Sequence, residues 1–311
     1  MSLALLILVS TLLGACVHSA IYTSRVEAQF PPQGDLVEVN GTAMHVIRMG
    51  TPDGPPVLFI HGASANANEF DWTLAPRLED RFDLLIPDRP GHGYSQRPEN
   101  GEQLGVQARQ LAGVLAAHAN GEPAIVVGHS FGGAVALRLA LDHPDRVKAL
   151  VLLAPVSHDW GGGGQTWYNQ WGATPVVGSA FAQLVPVAGP GQAKNGVIST
   201  FSPDPVPENY LENSAINLLF RPKEFRANAR DVTALRGELA AQQDRYTELA
   251  MPIIVFSGAL DTVISPTLHV GRLKHQAQSL ELVKLAGSGH MPHHAHGEEV
   301  ASAIARLAGA S

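Results

Sequence analysis

The sequence predicts an α/β protein whose mostly parallel, twisted sheet is covered by helices on both faces. Two observations support this prediction. Short, continuous apolar runs that end in turn residues, such as AIVVG at residues 124–128, are typical of strands buried on both faces. Between these runs lie segments with apolar residues at helical spacing, such as residues 102–119. Strands that alternate with helices indicate a parallel sheet with right-handed crossovers.

The predicted elements follow one another regularly in the first half of the chain. Two strand-like segments flank Asn40 and Gly41, a dipeptide that favours a tight hairpin turn, so the sheet should begin with an antiparallel pair. Further strands are predicted within residues 55–62, 82–93, 124–128, 147–155, 251–261 and 280–290. Helices are predicted in residues 70–79, 102–119, from 130 onward, in 265–277 and from about residue 298.

The regular alternation stops after the sixth strand. Residues 156–230 contain a run of four glycines, several prolines and three of the four tryptophans, Trp160, Trp167 and Trp171. An insertion of this length is typical of a lid or a binding segment, and the alternative is a packing subdomain with no role in binding. The sequence therefore predicts a core of residues 23–155 and 231–311, interrupted by a lid at residues 156–230.

The N-terminal segment is expected to lie outside this core. Residues 3–17 are apolar apart from Ser10 and Thr11, which is short for a membrane helix of roughly 20 residues but suits an export signal. LLGAC, which ends at Cys16, resembles a bacterial lipoprotein signal, although no Lys or Arg precedes the apolar run. We expect residues 1–22 to be a signal or a membrane anchor, with a segment of neither kind as the alternative, and the protein to be membrane-associated or exported.

The composition argues against several classes of function. The net charge is −7 and no run of Lys or Arg is present, whereas a nucleic-acid-binding protein normally carries a basic patch. A single cysteine excludes an intrachain disulfide and a cysteine-based metal site. We therefore expect no nucleic-acid partner.

The most informative motif is GHSFG, residues 128–132, which stands between a predicted strand and a predicted helix. A sharp turn from strand to helix would expose the Ser130 hydroxyl above the edge of the sheet, and the turn needs small residues at positions 128 and 132. The alternative is a tight turn that happens to contain a serine. A serine hydroxyl becomes a useful nucleophile only when a base removes its proton.

With this motif the sequence resembles the α/β-hydrolases over roughly residues 35–310. Three other segments match the family pattern: HGAS from His61, GALDTVIS with Asp261, and GSGHMPH with His290. The order Ser130, Asp261, His290 is the order that this fold uses. The resemblance implies that His290 is the general base and that Asp261 fixes its tautomer. It also implies that the backbone N–H groups of Phe131 and Ala63 form the oxyanion hole.

Some assignments have rivals. Asp159 also follows a strand and competes with Asp261. The histidine-rich stretch HMPHHAH, residues 290–296, could suggest a metal site, but no carboxylate or cysteine stands at ligand spacing, so the sequence predicts neither a metal nor a cofactor. His61 is expected to be a structural residue of its loop, and His129 a packing residue.

The predicted function is a serine hydrolase that cleaves a carboxylic ester of a small to medium apolar substrate. Trp160, Trp167 and Trp171 are candidates to line an apolar pocket. Cleavage of a C–C bond, a lactone or an amide, or a perhydrolase reaction, would use the same triad. A homologue that only binds a small molecule is a further alternative. The expected partners are this substrate and, through the N-terminal segment, a membrane; the sequence does not predict an oligomeric state.

Overall fold

A single eight-stranded sheet forms the centre of the protein. The computed structural model describes residues 3–163 and 166–309. The strands are β1 Asp35–Val39, β2 Thr42–Gly50, β3 Pro56–Ile60, β4 Asp83–Pro87, β5 Ala124–His129, β6 Val147–Leu153, β7 Ile253–Gly258 and β8 Leu280–Leu285. Their order is β1-β2-β4-β3-β5-β6-β7-β8, and only the pairs β1–β2 and β2–β4 are antiparallel.

Helices cover both faces of this sheet. They are α1 Leu3–Gln29, α2 Asn68–Asp71, α3 Leu104–His118, α4 Phe131–Asp142, α5 Trp167–Ala173, α6 Val177–Ala182, α7 Val185–Phe201, α8 Tyr210–Asn213, α9 Pro222–Gln242, α10 Arg272–Gln276, α11 Pro292–Ala295 and α12 Gly297–Ala308. Val126 of β5 packs in one core with α3 and α4, whereas its neighbours Ile125 and Val127 pack in the other with α12. This alternation follows from the period of two in a strand. The predicted fold class is confirmed.

The predicted hairpin is also present. Asn40 has φ of 49° and Gly41 φ of 75°, so both residues of the turn lie in the left-handed region. Asn and Gly tolerate this conformation best, and the turn twists in the same sense as the strands it joins. The register that it sets pairs Val39 with Thr42.

Between β6 and β7, the described residues form five α-helices, α5 to α9. The last of them joins the insertion to the core: its N-terminal part packs Phe225 and Ala229 against Ala182 of α6, whereas Leu235 and Leu239 belong to the main core. Helix α9 therefore runs across the predicted boundary between residues 230 and 231 without interruption.

The N-terminal segment forms helix α1, and the C-terminal half of this helix packs on the insertion. Val26 is buried against Leu218, the Tyr22 hydroxyl donates to the Asn217 carbonyl at 2.9 Å, and Arg221 pairs with Glu27 at 2.8 Å. Cys16 is an exposed free thiol.

The predicted localisation is wrong. Among the residues that the structure describes, none of the helices combines the length and the apolar character needed to cross a bilayer. In α1 the apolar run gives way to polar turns that include Arg25 and Glu27, so its apolar part is too short. The expected membrane-associated or exported protein, and membrane association through residues 1–22, are accordingly not supported.

Candidate active site

Ser130 lies on a sharp turn between β5 and α4. Its φ of 51° is in a region that non-glycine residues rarely adopt, and such strain is concentrated at functional sites. The flanking glycines are sterically required: a Cβ at Gly132 would lie 2.1 Å from the Ile60 carbonyl oxygen, and one at Gly128 would lie 2.6 Å from the Gly132 oxygen. The Ser130 backbone N–H is held by the Leu153 carbonyl at 2.9 Å. The turn is thus fixed on both sides by the sheet.

Asp261 and His290 form a buried pair. His290 Nδ1 lies 2.8 Å from Asp261 Oδ2, and their side chains are 3% and 2% exposed. The other carboxylate oxygen, Oδ1, accepts hydrogen bonds from the backbone N–H groups of Val263 and Ile264 at 2.8 and 2.9 Å. These bonds fix the orientation of the carboxylate. The Ser130 hydroxyl itself makes no hydrogen bond to the residues described here. In structures without substrate, catalytic hydrogen bonds are often long or unformed.

The rival carboxylate is engaged elsewhere. Asp159 Oδ1 accepts from Arg236 Nε and from the Gly161 backbone N–H, both at 2.9 Å. Its side chain is 26% exposed, and it has no contact with His290 among the described side chains. The geometry therefore brings Asp261, and not Asp159, to the histidine.

The loop after β3 offers backbone N–H groups beside the turn. The N–H of Ser64 is already bonded to Asn228 Oδ1 at 2.7 Å, whereas that of Ala63 has no acceptor in the described part of the chain. Phe131 begins α4, so its N–H lies at the positive end of the helix dipole. Both ring nitrogens of His61 bond backbone groups, in agreement with the structural role expected for it.

A buried arginine holds this loop in place. Arg89 donates to the carbonyls of His61 and Gly62 at 3.0 and 3.1 Å, and its guanidinium lies 4.3 Å from the ring centroid of Phe131. Asp231 of α9 compensates its charge through a bond of 2.8 Å. Because removal of one member of a buried ion pair leaves the other uncompensated, this pair ties the position of the loop to α9.

Sequence reasoning missed three groups that hold the histidine loop. His129 Nε2 donates to the His290 carbonyl at 3.0 Å, and Asp204 of the insertion accepts the Gly289 N–H at 2.7 Å. Glu69 accepts from His293 and His294 at 2.8 and 2.6 Å, although it is 224 residues from His293. No local signal could have found these contacts, because each joins segments that are distant in the chain.

Buried ionisable side chains beside this loop have strongly shifted pKa values. Burial alone would raise the pKa of Glu69, but hydrogen bonds from His293 and His294 hold it well below its usual range. Burial lowers the pKa of His293 to about 4. Burial, with a contribution from Glu69, raises the pKa of Asp71 to about 7.

The three tryptophans are not brought together. Trp160 packs on the edge of the main core, 6.4 Å between ring centroids from His269, and its indole N–H donates to the Gly163 carbonyl. Trp167 and Trp171 are more than half exposed and contact Phe181 of the insertion. Of the three, only Trp160 lies on the core side of the insertion.

His269 gives a testable pH dependence. Burial lowers its pKa to about 4, whereas an unfolded histidine titrates near 6.5. Between these values the unfolded chain binds a proton that the folded chain does not, so stability falls as the pH falls. His269→Asn should remove this contribution: between pH 7 and pH 5, the wild type should lose about 1 to 2 kcal/mol more unfolding free energy than the variant. Urea denaturation at both pH values measures this.

The asparagine carbonyl can still accept the backbone N–H groups of Ser157 and His158 that His269 Nδ1 accepts at 3.2 Å. His275→Asn, which removes an exposed histidine, is the control and should behave as the wild type. An equal loss of stability in the His269 variant and the wild type would contradict the prediction.

Comparison with known proteins agrees with this architecture. A family model described as the alpha/beta hydrolase fold matches residues 55–188. The magnesium-chelatase 30 kDa subunit of Rhodobacter capsulatus is 44% identical over 100 residues, 32% of this chain and 34% of that protein. The 2-(acetamidomethylene)succinate hydrolase of Mesorhizobium japonicum is 36% identical over 117 residues, 38% of this chain and 41% of that protein. The matches thus span about a third to two fifths of the length of these relatives.

A solved structure shares the fold over a longer stretch. The esterase of Exiguobacterium antarcticum superposes with a TM-score of 0.71 over 89% of this chain and 100% of its own, at 22% identity. This identity supports the shared fold and nothing finer. Since the sheet order, the strand–turn–helix at Ser130, the family match over residues 55–188 and the superposition agree, the chain has the α/β-hydrolase fold.

Proposed function

We propose that the protein is a serine hydrolase that cleaves carboxylic esters of small to medium apolar substrates through an acyl-enzyme on Ser130. The observation that carries the proposal is the combination of a strained serine turn with a buried His290–Asp261 pair. A serine, a base and an orienting carboxylate in this order are the parts that acyl transfer requires. The ester specificity rests on the tryptophans and aliphatic residues of the insertion, which suit an apolar substrate.

The proposed reaction has two halves. Ser130 Oγ attacks the ester carbonyl while His290 Nε2 takes its proton, and Asp261 stabilises the imidazolium through Nδ1–H. The negative oxygen of the tetrahedral intermediate accepts hydrogen bonds from the backbone N–H groups of Ala63 and Phe131. The C–O bond to the alcohol breaks, and the alcohol leaves with the proton from His290. Water then attacks the acyl-enzyme with His290 as base, which releases the acid and restores Ser130.

A substrate screen tests the bond type. p-Nitrophenyl esters of increasing acyl length should be turned over, whereas an aryl amide, a lactone, a C–C bond substrate and 2-(acetamidomethylene)succinate should be poorer substrates. A higher kcat/KM on any of these four would replace the ester assignment with that reaction on the same triad.

A fluorophosphonate probe separates an enzyme from a protein that only binds a small molecule. The probe should label Ser130 covalently in the wild type and should not label Ser130→Ala. A folded wild type that resists labelling would favour the binding protein, since the probe reports the activated serine and needs no knowledge of the substrate.

The insertion should set the choice of substrate. Trp160→Ala should change KM more than kcat on a short ester and should shift the preferred acyl length, because it removes an aromatic wall on the core side of the insertion. Trp171→Ala, which removes a half-exposed ring, is the matched control and should have a smaller effect. An equal loss of activity at all acyl lengths in Trp160→Ala would indicate a role in folding instead.

A further inference from the structure

A second cluster of polar side chains lies behind the candidate active site. Glu69 comes from α2, and His293 and His294 come from α11. The Nε2 atoms of His293 and His294 lie 2.8 and 2.6 Å from the same oxygen, Oε1 of Glu69. One carboxylate oxygen and two imidazole nitrogens within 4.8 Å of one another form a set of potential metal ligands.

The cluster is enclosed, and hydrogen bonds rather than a Lys or Arg side chain hold its carboxylate. The side chains of Glu69, His293 and His294 are 2%, 0% and 5% exposed. Among the described residues no Lys or Arg forms an ion pair with Glu69, and the adjacent Asp71 has a buried Oδ1 without a partner. Burial of an ionised carboxylate without a cation is costly. A divalent cation would supply the missing charge.

We propose that Glu69, His293 and His294 bind a divalent metal ion of the zinc class. Two imidazole nitrogens and one carboxylate oxygen are ligands that Zn²⁺ prefers. The present nitrogen–oxygen distances are those of hydrogen bonds. Tetrahedral coordination at ordinary bond lengths would need about 3.3 Å between ligand atoms, so the side chains must separate by under about 1 Å.

The proton balance of binding can be followed at the ring nitrogens. Each histidine now presents Nε2–H to Glu69, and coordination through Nε2 requires that the proton move to Nδ1 or leave. In His293, Nδ1 is buried and has no partner within the described chain, so it is free to take this proton, and the Nε2–H hydrogen bond to Glu69 is exchanged for the bond to the metal. His129, 4.6 Å away between ring centroids, also has an unpartnered Nδ1.

A neighbouring hydroxyl keeps the carboxylate in position. Tyr210 donates to the other oxygen of Glu69, Oε2, at 2.8 Å and is itself buried. This leaves Oε1 directed at the two histidines. Ordered support of a ligand by a second group is typical of metal sites. The metal would connect α2 to the loop that carries His290 and would stabilise the fold without taking part in the proposed reaction.

Direct metal binding tests this inference. Full-length protein is stripped with a chelator and titrated with ZnCl₂ in competition with a chromophoric zinc indicator. We expect one equivalent of zinc and a higher melting temperature with zinc than without it. Glu69→Gln and His294→Asn should each weaken zinc binding at least tenfold, since each removes a ligand. His275→Asn, an exposed histidine, should bind as the wild type.

Two results would overturn the inference. One is a folded wild type that binds no stoichiometric zinc, which would leave the cluster as a hydrogen-bonded network. The other is zinc binding that both ligand variants retain, which would place the metal elsewhere. Circular dichroism establishes that each variant is folded, and the titration of the wild type decides the question even if a variant does not fold. The readout is independent of ester hydrolysis.

Discussion

Ser130→Ala is expected to lower kcat for ester hydrolysis by about 10⁴- to 10⁶-fold, because loss of the proposed nucleophile would remove the function of the whole proposed triad. The fold should survive. The strained turn is imposed by Gly128, Gly132 and the sheet, and the serine hydroxyl makes no hydrogen bond to the described residues. Initial rates on a p-nitrophenyl ester, together with denaturant unfolding, measure both effects.

The matched control is Ser279→Ala, which truncates an exposed serine and should keep wild-type turnover. If the Ser130 variant is folded and retains more than about a tenth of the wild-type rate, the assignment of the nucleophile fails.

Asp261→Asn is expected to lower kcat by roughly 10⁴-fold, as the loss of the tautomer-fixing carboxylate does in serine proteases. The local geometry gives the reason. The N–H groups of Val263 and Ile264 require an acceptor at the Oδ1 position, so the asparagine carbonyl should stay there and its NH₂ group should face His290. An NH₂ group beside Nδ1 favours the tautomer with the proton on Nε2, which cannot take the serine proton.

The control is the rival carboxylate. Asp159→Asn should cost less than about tenfold, because Asp159 is partly exposed and pairs with Arg236 rather than with the histidine. Steady-state kinetics on one ester for both variants decides between them. A large loss in Asp159→Asn with little change in Asp261→Asn would reverse the assignment of the acid and leave those of Ser130 and His290 intact.

Local patterns in the sequence were sufficient to predict the sheet and the positions of the candidate residues. The Asn40-Gly41 turn, the buried strands and the GHSFG segment depend on neighbouring residues, so their signals are local. The juxtaposition of Asp261 and His290 was implied by the family resemblance, with Asp159 as the alternative acid. The structure agrees with this placement of the two side chains.

Other features could not be predicted because they depend on contacts between distant segments. Glu69 contacts His293 although the two residues are 224 positions apart, and the sequence around either residue gives no indication of the other. The apolar N-terminal run suggested a signal or an anchor, since sequence alone does not reveal that the following turns of α1 pack on Leu218 and Arg221. The role of Arg89 could not be predicted for the same reason, because its partner Asp231 lies on α9, 142 residues further along the chain.

Helix α9 constrains how this protein could be recombined with its relatives. Its N-terminal part contacts the other helices of the insertion, and Leu239 anchors its C-terminal part in the core. Asn228 bonds the loop beside Ser130 directly, and Asp231 pairs with Arg89, which holds this loop. A chimera that exchanges residues 156–230 would cut this helix and separate Asn228 from Asp231. A workable exchange has its junction beyond Gln242 and imports Asn228 and Asp231 along with the new insertion.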